Sequence, residues 1–93
     1  MRRIERATAF KRHYRRAKAI SRYRDLDERL VALLKLLVNN RPLPTRNRDH
    51  ALFGNWAGYR DRRLWPDHLL IYAKPSPDVL QLVGLGPHSD LFD

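Results

Sequence analysis

Apolar residues recur at helical spacing twice in the N-terminal half of the chain. Phe10, Tyr14 and Ala17 share one helical face while Lys11, Arg12, Arg15, Arg16 and Lys18 fill the others. This predicts a helix from about Thr8 to Ser21 with a cationic exposed side. Leu26, Leu30, Leu33, Leu34 and Leu37 mark a second stripe, and Asp25 with Glu28 before it has the form of a capping box. Pro42 and Pro44 follow, so this helix should end near Asn39. Only Arg22 to Arg24 separate the two helices, a length that suits an antiparallel hairpin.

Beyond the prolines the period shortens. Gly58 to Leu64 reads as a strand, Trp65-Pro66-Asp67 as a turn, and Leu69-Leu70-Ile71-Tyr72 as a second strand. Pro75-Ser76-Pro77-Asp78 should not continue a ladder and is expected to connect to a third strand, Val79 to Leu85. Arg3 to Ala7 offers a further strand at the side of the sheet. There is no internal repeat and no low-complexity tract. The fold class expected is α+β, a helical hairpin laid on an antiparallel sheet, and 93 residues suit a single domain over 1–93.

The chain has no cysteine, which removes disulfides and thiolate metal sites. The longest apolar run, Leu30 to Val38, is interrupted by Lys35 and falls short of the roughly 20 residues of a membrane span. No apolar stretch of the signal-peptide kind follows the basic N-terminus, so a soluble, cytoplasmic protein without a membrane partner is expected. Charge changes the picture more. Met1 to Arg24 holds ten basic residues against one acid, Glu5, and so carries the whole net charge of +9; the rest of the chain balances nine against nine. Such asymmetry points to a polyanion, because Lys and Arg that neutralise phosphates release counterions. Lys11, Arg12, Arg15, Arg16, Lys18 and Arg22 are the candidate RNA-binding residues. A solvated or membrane-surface basic helix is the plainer alternative, and docking of an acidic protein segment is a compatible further use.

The stretch Asp49-His50-Ala51-Leu52-Phe53-Gly54-Asn55-Trp56-Ala57-Gly58-Tyr59-Arg60-Asp61, followed by Trp65-Pro66-Asp67-His68-Leu69-Leu70-Ile71-Tyr72, resembles the D-H-x-L-x-G-x-W-x-G-x-R-D and P-D-W-L-L-I-Y pattern of YafQ-like toxins in the RelE/ParE superfamily. The ending Gly84-Leu85-Gly86-Pro87-His88-Ser89-Asp90-Leu91-Phe92 is similar to that family's T-G-S/T-H-x-x-L-F. No one segment is specific, but the three in this order cover nearly the whole chain together with the basic hairpin.

The resemblance implies a metal-independent endoribonuclease that cuts mRNA on the ribosome and is neutralised by a cognate antitoxin in a hetero-oligomer, with no cofactor. In the matching positions His50, Asp67 and His88 would be the acid/base groups, Phe92 would stack on a substrate base, and Arg60 and Arg63 would bind substrate. Imidazoles suit this work because their unperturbed pKa lies near neutrality; which group is acid and which is base stays open. One position departs from the pattern. The family's R-D-x-H reads Arg60-Asp61-Arg62-Arg63 here, and Arg63 cannot act as a neutral base, although it can grip a phosphate oxygen.

Plainer roles exist for each group. Asp67 after Pro66 suits a turn, Phe92 could plug the core, and Trp56 and Trp65 suit packing. Gly54 and Gly58 suit special backbone dihedrals. His13 and His68 match no motif position and read as solvent-facing or packed, and the scattered histidines make no metal motif. A non-catalytic relative that only binds RNA or ribosomes, or a ParE-like toxin acting on a protein, is the alternative function.

Overall fold

The computed structural model describes residues 2–39, 50–52, 54–87, 89 and 91, with His50 and Asn55 described by their backbone alone. Strand β1 (Arg3–Arg6) leads into helix α1 (Thr8–Lys18); a 3-10 turn, Ser21–Tyr23, joins it to helix α2 (Leu26–Val38). Strands β2 (His50–Ala51), β3 (Tyr59–Trp65), β4 (His68–Ser76) and β5 (Val79–Gly86) follow. They form one sheet in the order β1-β5-β4-β3-β2. The expected meander is present as antiparallel β3–β4 and β4–β5 pairs, and β2 joins β3 antiparallel. The sheet is nevertheless mixed: β1 lies at its edge as expected, but pairs parallel with β5, Arg3 opposite Val79 and Arg6 opposite Leu82. A parallel partner is reached because α1 and α2 and the strands after them separate β1 from β5, ample chain for a crossover.

Three boundaries differ from the sequence expectation, each for a local reason. Helix α1 stops at Lys18 rather than Ser21, since Ile20 adopts an extended conformation (φ −99°, ψ 119°) that sends Tyr23 inward to 5% exposure. Asp25 makes no capping hydrogen bond; its carboxylate instead takes Arg29 Nε at 3.0 Å, one helical turn on. Strand β4 runs through Pro75 to Ser76, because the register shifts between Ala73 and Ser76 and the proline sits where no ladder hydrogen bond is required of it.

The helices cover one face of the sheet. Phe10, Ala17, Leu26, Leu30, Leu33 and Leu37 pack with Leu64, Leu70, Tyr72, Leu80, Leu82 and Leu85 in one cluster. Leu69, Ile71 and Ala73, which alternate with Leu70 and Tyr72 along β4, are also buried but lie outside that cluster, on the other face. Strand β4 is therefore covered on both sides, which explains its unbroken apolar run.

A polar tie joins the two helices. Tyr14 Oη donates to Asp27, and Lys18 Nζ lies 2.7 Å from the same carboxylate. The hydrogen bonds from Lys18 and Tyr14 hold the Asp27 carboxyl below the usual carboxylate range, while both donors are raised by the same contacts. A carboxyl whose pKa falls on folding contributes stability above its unfolded value of about 3.9 and loses it as pH drops through the lowered folded value. The gap in melting temperature between the native chain and Asp27→Asn should thus be steady from pH 5 to 8 and close below about pH 4. Thermal unfolding across that range measures it, and since the groups are exposed the gap should be small.

Candidate active site

Strand register, rather than sequence proximity, sets several of the motif positions side by side. His50 pairs with Asp61, Asp61 with Ile71, and Ile71 with Gly84, a row that crosses β2, β3, β4 and β5. The next row on the same face is Arg63, Leu69 and Gly86. The β3–β4 turn at Pro66 and Asp67 lies just past it, so β5 ends at the same edge of the sheet where Asp67 sits. The chain therefore leaves Gly86 for Pro87 at that edge. The side chain of His50, together with His88 and Phe92, lies outside the described residues.

Alternation along β3 divides its basic residues. Arg62 pairs with Leu70 of the helix-side core, and its Nε donates to the Tyr72 hydroxyl at 3.1 Å. Arg60, opposite Tyr72, belongs to the same side. Asp61 and Arg63 belong to the other, facing away from the helices. Asp61 is 7% exposed, the one carboxylate buried among the described residues. Of the two arginines singled out as substrate-binding, Arg63 shares a face with Asp61 and the His50 row, and Arg60 does not.

Asp67 is exposed at the turn, where its Oδ2 lies 2.6 Å from Arg22 Nη2. That pairing spans 45 positions and was not legible in the sequence. It is supported from below by an aromatic group: the Arg22 guanidinium lies 5.1 Å from the Tyr23 ring, and Tyr23 meets Trp65 at 4.8 Å and His68 at 4.4 Å. His68, 1% exposed, is packed rather than solvent-facing. The aromatic residues on either side of Pro66-Asp67 were the available sign that this turn is anchored. Arg29 adds to the anchor, its guanidinium 4.6 Å over Trp65 and its Nη1 donating to Leu64 O at 2.6 Å. Trp56 packs edge-on against Tyr59 at 5.6 Å, a structural use as expected. Gly58 enters β3 at φ 93°, a conformation that other residues rarely adopt.

Lys11, Arg12, Arg15, Arg16, Lys18 and Arg22 are all exposed. Lys18 is held by Asp27 and Arg22 by Asp67, so the surface of α1 continues to the Asp67 turn through Arg22. Beside that junction an open depression of about 430 Å³ is lined by Ser21, Arg22, Arg24 and Asp25. A cationic surface thus runs from α1 to the edge of the sheet where Asp67 sits. Among the described residues no group of three His, Cys, Asp or Glu side chains is arranged to hold a metal ion, and no described helix is long and apolar enough to cross a membrane.

Comparisons with known proteins agree with this layout. The mRNA interferase toxin YafQ of Escherichia coli K12 is 43% identical over 75 residues, covering 80% of this chain and 79% of that protein. The crystal structure of YafQ from E. coli BL21(DE3) superposes with a TM-score of 0.85 at 35% identity, each chain fully covered. YafQ in the crystal structure of the E. coli DinJ-YafQ complex does so with a TM-score of 0.84 at 36% identity, again over the full length of both. The family model described as bacterial toxin of type II toxin-antitoxin system, YafQ, matches residues 2–93, and the chain belongs to that family.

Proposed function

We propose that this chain is a single-domain toxin that cleaves mRNA on the ribosome and is silenced by a cognate antitoxin. The observation that carries the reading is the 43% identity to an mRNA interferase across 80% of the chain; His50, Asp67 and His88 stand at the positions where the family resemblance puts its acid/base groups. The relative that forms a DinJ-YafQ complex supports an antitoxin partner, and the cationic surface of α1 supports binding to ribosomal RNA.

The chemistry follows from the groups available. A base removes the proton of the ribose 2′-hydroxyl, the 2′ oxygen bonds to the adjacent phosphorus, the bond from phosphorus to the 5′ oxygen breaks, and an acid protonates that leaving oxygen. The products are a 2′,3′-cyclic phosphate and a 5′-hydroxyl. His50 and His88 exchange the protons, Asp67 orients or assists one of them, and Phe92 stacks on a base to fix the nucleotide. Arg63 stands where the family carries a histidine, and its fixed charge can only stabilise the phosphorane-like transition state. The register supports this division, since Arg63 and Asp61 share the face away from the helices.

The test is purified chain added to ribosomes programmed with a defined mRNA, and to the same mRNA alone. Cleavage with ribosomes that is suppressed by the antitoxin is expected. Intact message on ribosomes to which the chain is shown to be bound would refute the reading.

A further inference from the structure

We infer that His13 is a positioning residue for the cleavage reaction, acting with the bare Cα of Gly84 to hold Leu85 and Leu91, the described residues on either side of His88 in the chain. The inference rests on the reading of His88 given above. It begins with the end of a strand pairing. Strand β1 accompanies β5 only as far as Leu82, and Ala7 N–H closes that pairing on Leu82 O at 2.9 Å. Strand β5 continues to Gly86. On the side that β1 has left, the Leu85 N–H donates to His13 Nδ1 at 3.2 Å, so a side chain of α1 takes over where the strand stops. An imidazole nitrogen can accept a hydrogen bond only when it carries no proton, so this contact selects the neutral ring with its proton on Nε2.

Gly84 supplies the second observation. A Cβ placed there would lie 3.3 Å from Leu91 Cδ2 and 3.6 Å from His13 Nδ1. Glycine thus lets the ring of His13 and the side chain of Leu91 close over the backbone of β5. Leu91 in turn donates its backbone N–H to Pro87 O at 3.3 Å. In the sequence His88 lies between these contacts: Leu85 donates to His13 on one side, and on the other Leu91 donates to Pro87 O and lies in the space that the missing Cβ of Gly84 leaves. Phe92 follows Leu91 directly in the chain. The α1 helix, whose cationic residues face the polyanion, is by this route tied to the segment that performs the chemistry. Neither His13 nor Gly84 need touch the RNA.

Misplacing a reacting group by about 1 Å can cost on the order of 10²-fold in rate while leaving substrate binding intact. The test compares His13→Ala, His13→Asn, Gly84→Ala and His88→Ala in one cleavage assay, with amide hydrogen exchange at Leu85 measured by NMR. In His13→Ala the Leu85 amide should exchange faster, and kcat should fall roughly 10- to 100-fold with KM within about twofold. His13→Asn should restore both, because its Oδ1 can accept where Nδ1 did. Gly84→Ala should lower kcat by a similar factor by pushing Leu91 away. If His13→Ala does not fold, the asparagine and Gly84 variants still decide the matter. Unchanged Leu85 exchange in His13→Ala, a change in KM alone, or full kcat in both His13→Ala and Gly84→Ala while His88→Ala is impaired would each overturn the positioning role alone. Full kcat in His88→Ala would overturn the reading of His88, and the positioning role with it.

Discussion

Alanine at His88 is expected to slow mRNA cleavage by about 10²- to 10⁴-fold, and alanine at His50 by a similar factor. On the proposed chemistry each change deletes one proton-transfer group and leaves the cationic surface intact, so ribosome binding should stay within about twofold. The two effects should not multiply. Groups that act as acid and base in one step fail as a unit, so the double variant should be little slower than the worse single one. Single-turnover rates on programmed ribosomes, set beside binding measured by co-sedimentation, separate the two quantities. Growth arrest that survives both substitutions would place the toxicity elsewhere in the molecule.

The second large effect is on binding and depends on salt. Six exposed basic residues, Lys11, Arg12, Arg15, Arg16, Lys18 and Arg22, line α1 and the turn after it. If each neutralises one RNA phosphate, the affinity should fall with a log-log slope of about −4, a loss of roughly 10²- to 10³-fold between 50 and 200 mM salt. Neutralising Arg12, Arg15 and Arg16 together should halve that slope, as measured by ribosome or RNA binding titrations. Lys18 and Arg22 are already engaged with Asp27 and Asp67, and exchanging one exposed partner for another costs little. Arg22 is the informative one of the pair, because an RNA phosphate that takes it over releases Asp67 at the edge where cleavage is proposed to occur. A flat salt response would mean that the basic helix does not meet the polyanion.

The helices and the β3–β5 meander were readable because their apolar spacing is strong. Leu26, Leu30, Leu33 and Leu37 recur on one helical face, and all four are buried as that spacing requires. Strand β1 was harder to read, since Arg-Ile-Glu-Arg offers no buried alternation and all four residues are exposed. Its parallel pairing with β5 follows from topology, which no local pattern records. The Asp25 cap was misread because a carboxylate at a helix start has two available partners, and Arg29 one turn on is the stronger. Pro75 was taken as the end of a ladder, whereas an edge-compatible bulge absorbs it.

At the site, His50, Asp67 and His88 were named through family resemblance, and the register of the sheet relates the backbone of His50 to the strand that leads to Asp67. What the sequence did not carry were the contacts made by residues outside the motifs. Arg22 reaches Asp67 across 45 positions and His13 reaches Leu85 across 72. Both come from the helical hairpin, and both depend on how α1 and the turn after it lie against the strand ends. A histidine at helical spacing among basic residues reads as surface until the strand it meets is known. His68 is the converse case: it lies next to Asp67 in the chain, yet its ring is spent on the Tyr23 and Trp65 cluster.

The most direct measurement is the chemistry of the cut ends. Purified protein, ribosomes and a defined mRNA are incubated together, and the fragments are mapped by ligation methods that distinguish cyclic phosphate from hydroxyl termini. Attack by the 2′-hydroxyl yields a 2′,3′-cyclic phosphate on the upstream fragment and a 5′-hydroxyl on the downstream one. A 3′-hydroxyl paired with a 5′-phosphate would instead show that water attacked the phosphorus, and proton exchange between histidines around a ribose could not then be the mechanism.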